Sequence, residues 1–185
     1  LPTVQTSNAT FTNIGASQAT VNFTAGNGPY RLAVAKKDSE MTFEPTNGSE
    51  YTANNAFGNS TNLGSNTFAV FNGMNETFVM QNLEPSSTYF IRFFEYNYNE
   101  AGQQYLTPGY TASFSTPSIP TMAADNLQIT ETTETTATLS WQNGNGNARI
   151  VVMRDASTGG TMPQPQHGVV YSASAEFGSG DAFGS

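Results

Sequence analysis

The chain is predicted to be all-β, built as two tandem β-sandwiches of which the second is incomplete. Three observations predict this. A block of sequence recurs once, apolar residues alternate with polar ones at period two, and the composition combines many aromatics with few charges. Gly26-Asn27-Gly28 returns as Gly144-Asn145-Gly146, and residues 51–65 return as 171–185, so one unit is about 119 residues long. No second copy of residues 66–119 follows, and the second unit is therefore expected to lack its C-terminal half.

The repeat aligns position by position. Phe11 pairs with Ile129, Val21 with Leu139, Phe23 with Trp141, Arg31 with Arg149 and Val34 with Val152; after a loop of unequal length, Tyr51, Phe57 and Gly64 pair with Tyr171, Phe177 and Gly184. Leu1-Pro2-Thr3 matches Ile119-Pro120-Thr121, so the chain is expected to open on an inter-domain linker. This divides it into a first sandwich at 1–116, a linker at 117–121 and the N-terminal half of a second, homologous sandwich at 122–185.

Seven strands are expected in the first unit, at 9–14, 18–24, 31–36, 67–71, 77–83, 88–96 and 110–115, with Gly, Asn or Pro clusters between them. In the second of these Ala19, Val21 and Phe23 share one face and Thr20, Asn22 and Thr24 the other, the pattern of a sheet buried on one side. No segment longer than about two turns keeps a helical stripe.

Leu83, Pro85 and Tyr89 have the Leu-x-Pro-x-x-x-Tyr spacing that opens the sixth strand of fibronectin type III domains, and Thr136-Ala137-Thr138-Leu139-Ser140-Trp141 resembles their second strand. The resemblance covers nearly the whole chain and implies an immunoglobulin-like sandwich whose Tyr89 ring fills a corner while its hydroxyl ties down nearby backbone. The 51–64 pattern, Phe71-Asn72-Gly73, Phe94-Glu95-Tyr96-Asn97 and Tyr105-Leu106 look more specifically like a fibronectin type III-like module of Bacteroidetes secreted and cell-surface multidomain proteins. Phe23 departs from the pattern, standing where the family usually has tryptophan.

Residues 37–66 form a long excursion, expected to be pinned to the sandwich by Tyr51 and Phe57. Phe90, Phe94 and Tyr96 alternate with the core residues Tyr89, Ile91 and Phe93 and should face outward, and the excursion is expected to cover that apolar stripe.

Composition excludes several functions. A net charge of −8 without clustered Lys or Arg argues against nucleic acid. No apolar run approaches a membrane span. The absence of cysteine leaves the core to hold the fold, which is compatible with a bacterial surface protein and unlike most small animal ectodomains. With a single histidine, His167, zinc sites and nucleophilic triads lack raw material, so no enzyme activity, metal or cofactor is expected. His167 reads as a loop residue, and Asp38, Glu40 and Glu44 as a solvated acidic cluster without calcium-loop spacing. Gly144-Asn145-Gly146 leads into a strand, not a helix, and so reads as a turn, not a phosphate cradle.

One ligand-binding candidate remains: the 97–109 loop, with Tyr98, Glu100, Gln103, Gln104 and Tyr105, whose aromatic and amide groups suit a sugar ring. The alternative is a polar hairpin tip with Tyr105 packed inward. The function expected is a non-catalytic extracellular spacer or adhesion module of a larger bacterial surface or secreted repeat protein. A carbohydrate-binding accessory module of a secreted polysaccharide-degrading enzyme is the alternative, and a viral or phage structural protein a weaker third. The partners expected are other domains of the same protein, or a neighbouring chain that completes the second sandwich, with glycans as a further candidate.

Overall fold

A computed structural model describes residues 1–166 and 169–182. The expectation for His167, and the repeat partners of Gly64 and Ser65, Gly184 and Ser185, lie outside the described residues. The chain divides into two compact units, Leu1–Ser118 and Ile119–Ser185. Ordered helix among the described residues is confined to a short 3-10 turn at Ala156–Thr158.

In the first unit the strands are β1 (Ser7–Thr12), β2 (Ala19–Thr24), β3 (Tyr30–Lys37), β4 (Thr67–Gly73), β5 (Thr77–Met80), β6 (Thr88–Asn99), β7 (Gly102–Tyr105) and β8 (Tyr110–Ser115). One sheet has the order β1-β2-β5; the other has the order β4-β3-β6, with β7 and β8 both paired to β6. Every pairing between these strands is antiparallel. This is an immunoglobulin-like sandwich in which the fourth strand pairs with the third.

The residues expected as core meet between the sheets. Ala19, Val21 and Phe23 of β2 pack with Ala33 and Ala35 of β3, Tyr89, Ile91 and Phe93 of β6, and Phe114 of β8. Tyr89 is fully buried and its hydroxyl accepts a 2.8 Å bond from the Glu84 amide, the corner tie that the resemblance implied.

A second apolar cluster lies on the other face of β3 and β6. Leu32, Val34, Ala69, Phe94 and Tyr96 are covered by Met41, Phe43, Tyr51, Ala53 and Leu63, all from the excursion. The sheet is therefore buried on both faces, which is why β3 carries the unbroken apolar run Leu32-Ala33-Val34-Ala35 in place of strict alternation. Tyr51 is the anchor on this face, edge-on to Phe43 at 5.6 Å and to Tyr105 at 5.8 Å. Phe57 instead joins the inter-sheet core, edge-on to Tyr89 at 5.1 Å. Glu44 forms an ion pair with Arg92 of β6, and Asp38 accepts the Thr88 amide at 2.9 Å. Two of the three acids read as solvated thus tie the excursion to the sheet.

One reading needs correction. Residues 97–109 are not a loop throughout: β6 continues to Asn99 and returns as β7. The first half of β6 pairs with β8 and its last residues with β7, so both strands share one edge of β6. Period-two reading stops short here because the apolar pattern gives way to Asn97, Asn99, Gln103 and Gln104, which pair through backbone alone.

The second unit contains β9 (Asp125–Thr132) and β10 (Ala137–Gln142), paired antiparallel. Three local contacts repeat those of the first unit, although residues 148–155, the counterparts of β3, form no strand. Asn27 Oδ1 accepts the amides of Thr3 and Val4, each at 2.9 Å; Asn145 Oδ1 accepts those of Thr121 at 3.1 Å and Met122 at 2.9 Å. A Cβ on Gly26 would lie 2.0 Å from the Val4 carbonyl oxygen, and one on Gly144 would lie 2.2 Å from that of Met122, so the same close approach demands glycine in both copies. The Tyr51 hydroxyl accepts the Thr46 amide and the Tyr171 hydroxyl the Gln166 amide, both at 3.0 Å.

Candidate functional site

The hairpin of β6 and β7 brings the five candidate residues onto one element but gives them different surroundings. Tyr98 is 51% exposed, with its ring edge-on to Tyr30 at 5.3 Å and to Tyr96 at 5.6 Å. Glu100 is exposed at the turn and Gln104 is half-buried. Gln103 and Tyr105, in contrast, lie inside the fold at 7% and 2% exposure. The carbonyl of Gln103 accepts the Gly48 amide at 2.7 Å. Tyr105 is held at three points: its amide donates to Asn47 Oδ1 at 2.8 Å, its hydroxyl donates to the Ser49 carbonyl at 2.9 Å, and its ring lies 4.9 Å from Tyr96. Alternation explains the split, since Gln103 and Tyr105 share the face on which the excursion rests. Burial raises the phenol pKa of both Tyr96 and Tyr105 well above the ordinary tyrosine value.

A second constellation was not anticipated from sequence. At one end of the sandwich Glu95 is fully buried, and its Oε1 lies 3.1 Å from Arg31 Nε. The same oxygen accepts the Thr6 hydroxyl at 2.7 Å and the Gly26 amide at 2.9 Å, while Oε2 accepts the Gly28 amide at 3.1 Å. Arg31 is satisfied in turn by the Gly28 carbonyl at 3.0 Å and by the carbonyl of Met74. A fully buried carboxylate paired with Arg31 and held by three further donors is structural chemistry. The signal available in the sequence was the recurrence of arginine at 31 and 149, next to an otherwise apolar strand, together with a glutamate at the inward parity of β6.

The second unit has the arginine without the acid. Arg149 donates to the Gly146 carbonyl at 3.2 Å, as Arg31 does to Gly28, but makes no ion pair among the described residues. Beside it runs an open groove of ≈ 600 Å³ whose walls include Trp141, Ala148, Arg149, Ile150, Tyr171 and Ala173. Residues 148–155 carry no strand pairing, although their counterparts form β3.

Among the described residues no group of three or more His, Cys, Asp or Glu is placed to hold a metal ion. No helix there is long and apolar enough to cross a membrane.

The fold and these sites define a β-sandwich module. No protein-family model matches the chain, and no curated protein matches it. Solved structures similar to it are fibronectin type III and related β-sandwich domains. The fibronectin type III domain of human fibronectin type III domain containing protein 3 is 14% identical with a TM-score of 0.39, the match covering 64% of this chain and 88% of that one. The FN5 domain of Drosophila Lar is 13% identical with a TM-score of 0.36, over 63% of this chain and 98% of that one. The central fibronectin-III array of RIM-binding protein is 15% identical with a TM-score of 0.36, over 75% of this chain and 42% of that one. The sandwich assignment itself rests on the strand pairing described above.

Proposed function

We propose that the chain is a non-catalytic spacer or adhesion segment of a larger extracellular repeat protein, of the kind its motifs resemble in Bacteroidetes surface and secreted proteins. The observation that carries this reading is where the aromatic residues go. Phe94, Tyr96, Tyr105, Phe43 and Tyr51 are consumed in holding the excursion on the sheet. That leaves a sandwich whose two cores close without disulfides and whose charged pair is sealed. Such a unit suits a structural repeat joined to its neighbour by the short Pro117-Ser118-Ile119-Pro120 segment.

The exposed Tyr98 favours a second reading, glycan binding at the hairpin as an accessory module of a polysaccharide-degrading enzyme. Its ring is the one hairpin aromatic that a sugar can reach. A polysaccharide pull-down combined with a glycan array separates the two. The spacer reading expects no saturable retention. Saturable binding lost in Tyr98→Ala, with the urea midpoint unchanged, would replace it with the glycan reading.

A further inference from the structure

Three of the four cationic side chains in the first unit have carboxylate partners: Arg31 pairs with Glu95, Lys37 with Glu84 and Arg92 with Glu44. Lys36 does not. Among the described residues its ammonium has one hydrogen-bond partner, the Glu40 carbonyl at 3.5 Å. Lys36 stands opposite Thr67 in the register of β3 and β4. Thr67 is 2% exposed, yet its hydroxyl forms no hydrogen bond with any described residue. Both residues line a cavity of ≈ 190 Å³, bounded by Met41 and Phe43 of the excursion and by Leu63 and Ser65 of the tight return before β4. That return is fixed by its own backbone, the Leu63 amide donating to the Thr67 carbonyl at 2.8 Å and the Thr67 amide to the Gly64 carbonyl at 3.0 Å. The walls are therefore set before any ligand arrives.

We propose that this cavity binds a small hydroxylated monocarboxylate, a sugar acid or hydroxy acid, whose carboxylate meets Lys36 and Thr67. A buried hydroxyl without a partner costs free energy that an acceptor oxygen of the ligand recovers, and the ammonium adds a charge-assisted bond to the same group. The volume falls below the roughly 300–1,000 Å³ of drug-sized sites, which suits one sugar ring or a short acid and leaves no room for an oligomer. Glu40 also borders the cavity. With one cation and one acid in its lining the site accepts a single negative charge, whereas a dianion such as phosphate meets repulsion as well as attraction. Phe43 and Leu63 offer apolar wall to the ligand's carbon-bound hydrogens, and the hydroxyl of Ser65 offers a polar rim. Tyr98 does not border the cavity, so this site is independent of the hairpin.

Lys36 and Lys37 are the only lysines in the chain, so carbon-13 lysine labelling gives two Cε signals by nuclear magnetic resonance. Lys36→Arg assigns them by removing one. The full chain is titrated at constant ionic strength with D-glucuronate, L-lactate, D-glucose and inorganic phosphate. The Lys36 signal is expected to move saturably with glucuronate or lactate, while Lys37, engaged with Glu84, stays in place. Glucose, which lacks the charge, and phosphate should bind roughly tenfold or more weakly. Thr67→Val keeps the branched shape and removes the hydroxyl, and should weaken binding of the acid roughly tenfold at an unchanged urea midpoint. The comparison of ligands on the unaltered chain stands even if that variant misfolds. Four results would overturn the proposal: a Lys36 signal that neither acid moves, equal movement with glucose or phosphate, joint movement of both lysines, or undiminished binding in a folded Thr67→Val chain.

Discussion

Arg31 and Glu95 form a buried ion pair, Nε to Oε1 at 3.1 Å, that closes one end of the first sandwich. The carboxylate gathers three further donors from different parts of the chain: Thr6 before β1, and Gly26 and Gly28 in the turn before β3. Neutralising it leaves a buried guanidinium uncompensated. Glu95→Gln is therefore expected to destabilise the first unit by about 3–5 kcal/mol. Thr6→Val, which removes one donor and leaves the pair intact, should cost about 1 kcal/mol. Urea unfolding of both variants checks this, and equal midpoints would refute it.

The excursion is held by side chains more than by pairing. Tyr51 contacts Phe43 and Tyr105 through its ring, accepts the Thr46 amide at its hydroxyl, and offers its carbonyl to Asn72 Nδ2 at 2.9 Å. Tyr51→Ala should cost about 2 kcal/mol or more by leaving a cavity under the excursion. The first cleavage in limited proteolysis should move into residues 38–66, while the sheets stay protected. A cleavage pattern identical to that of the parent chain would show that the ring is not the anchor.

Three buried phenols make the first unit sensitive to alkali. Burial raises the pKa of Tyr89, Tyr96 and Tyr105 above their unfolded value, so above about pH 10 the unfolded chain loses protons that the native state retains. Stability is then full below the unfolded pKa and falls as pH rises, by up to about 1.4 kcal/mol per pH unit for each tyrosine. Urea midpoints measured between about pH 8 and 11 should follow this slope. Tyr105→Phe should flatten it while lowering stability at neutral pH, because the bond to the Ser49 carbonyl is lost. A midpoint independent of pH across that range would contradict the assignment.

Much of the fold was legible in residue order. Alternation in β2 placed Ala19, Val21 and Phe23 on the inter-sheet face, and the Leu83-Pro85-Tyr89 spacing located the corner where the Tyr89 hydroxyl meets the Glu84 amide. The outward Phe94 and Tyr96 could be read as a stripe in need of cover, because period two assigns faces independently of what lies above them. The β6–β7 hairpin could not be read in this way. Its polar residues carry no facial signal, and Tyr105 and Gln103 are buried only because the excursion folds back over them.

The repeat itself, the strand faces and the glycine turns were determined by sequence alone, because each depends on local spacing: one Cβ too many at Gly26 or Gly144 closes the turn whatever the rest of the chain does. Tertiary structure alone decided which residues meet across long separations. Glu95 finds Arg31, Gly26 and Gly28 only once β6 lies against β3. The equivalent arginine at 149 remains without a carboxylate among the described residues because no strand pairs beside it there. Local rules assign a side chain its face; only the neighbouring strand assigns it a partner.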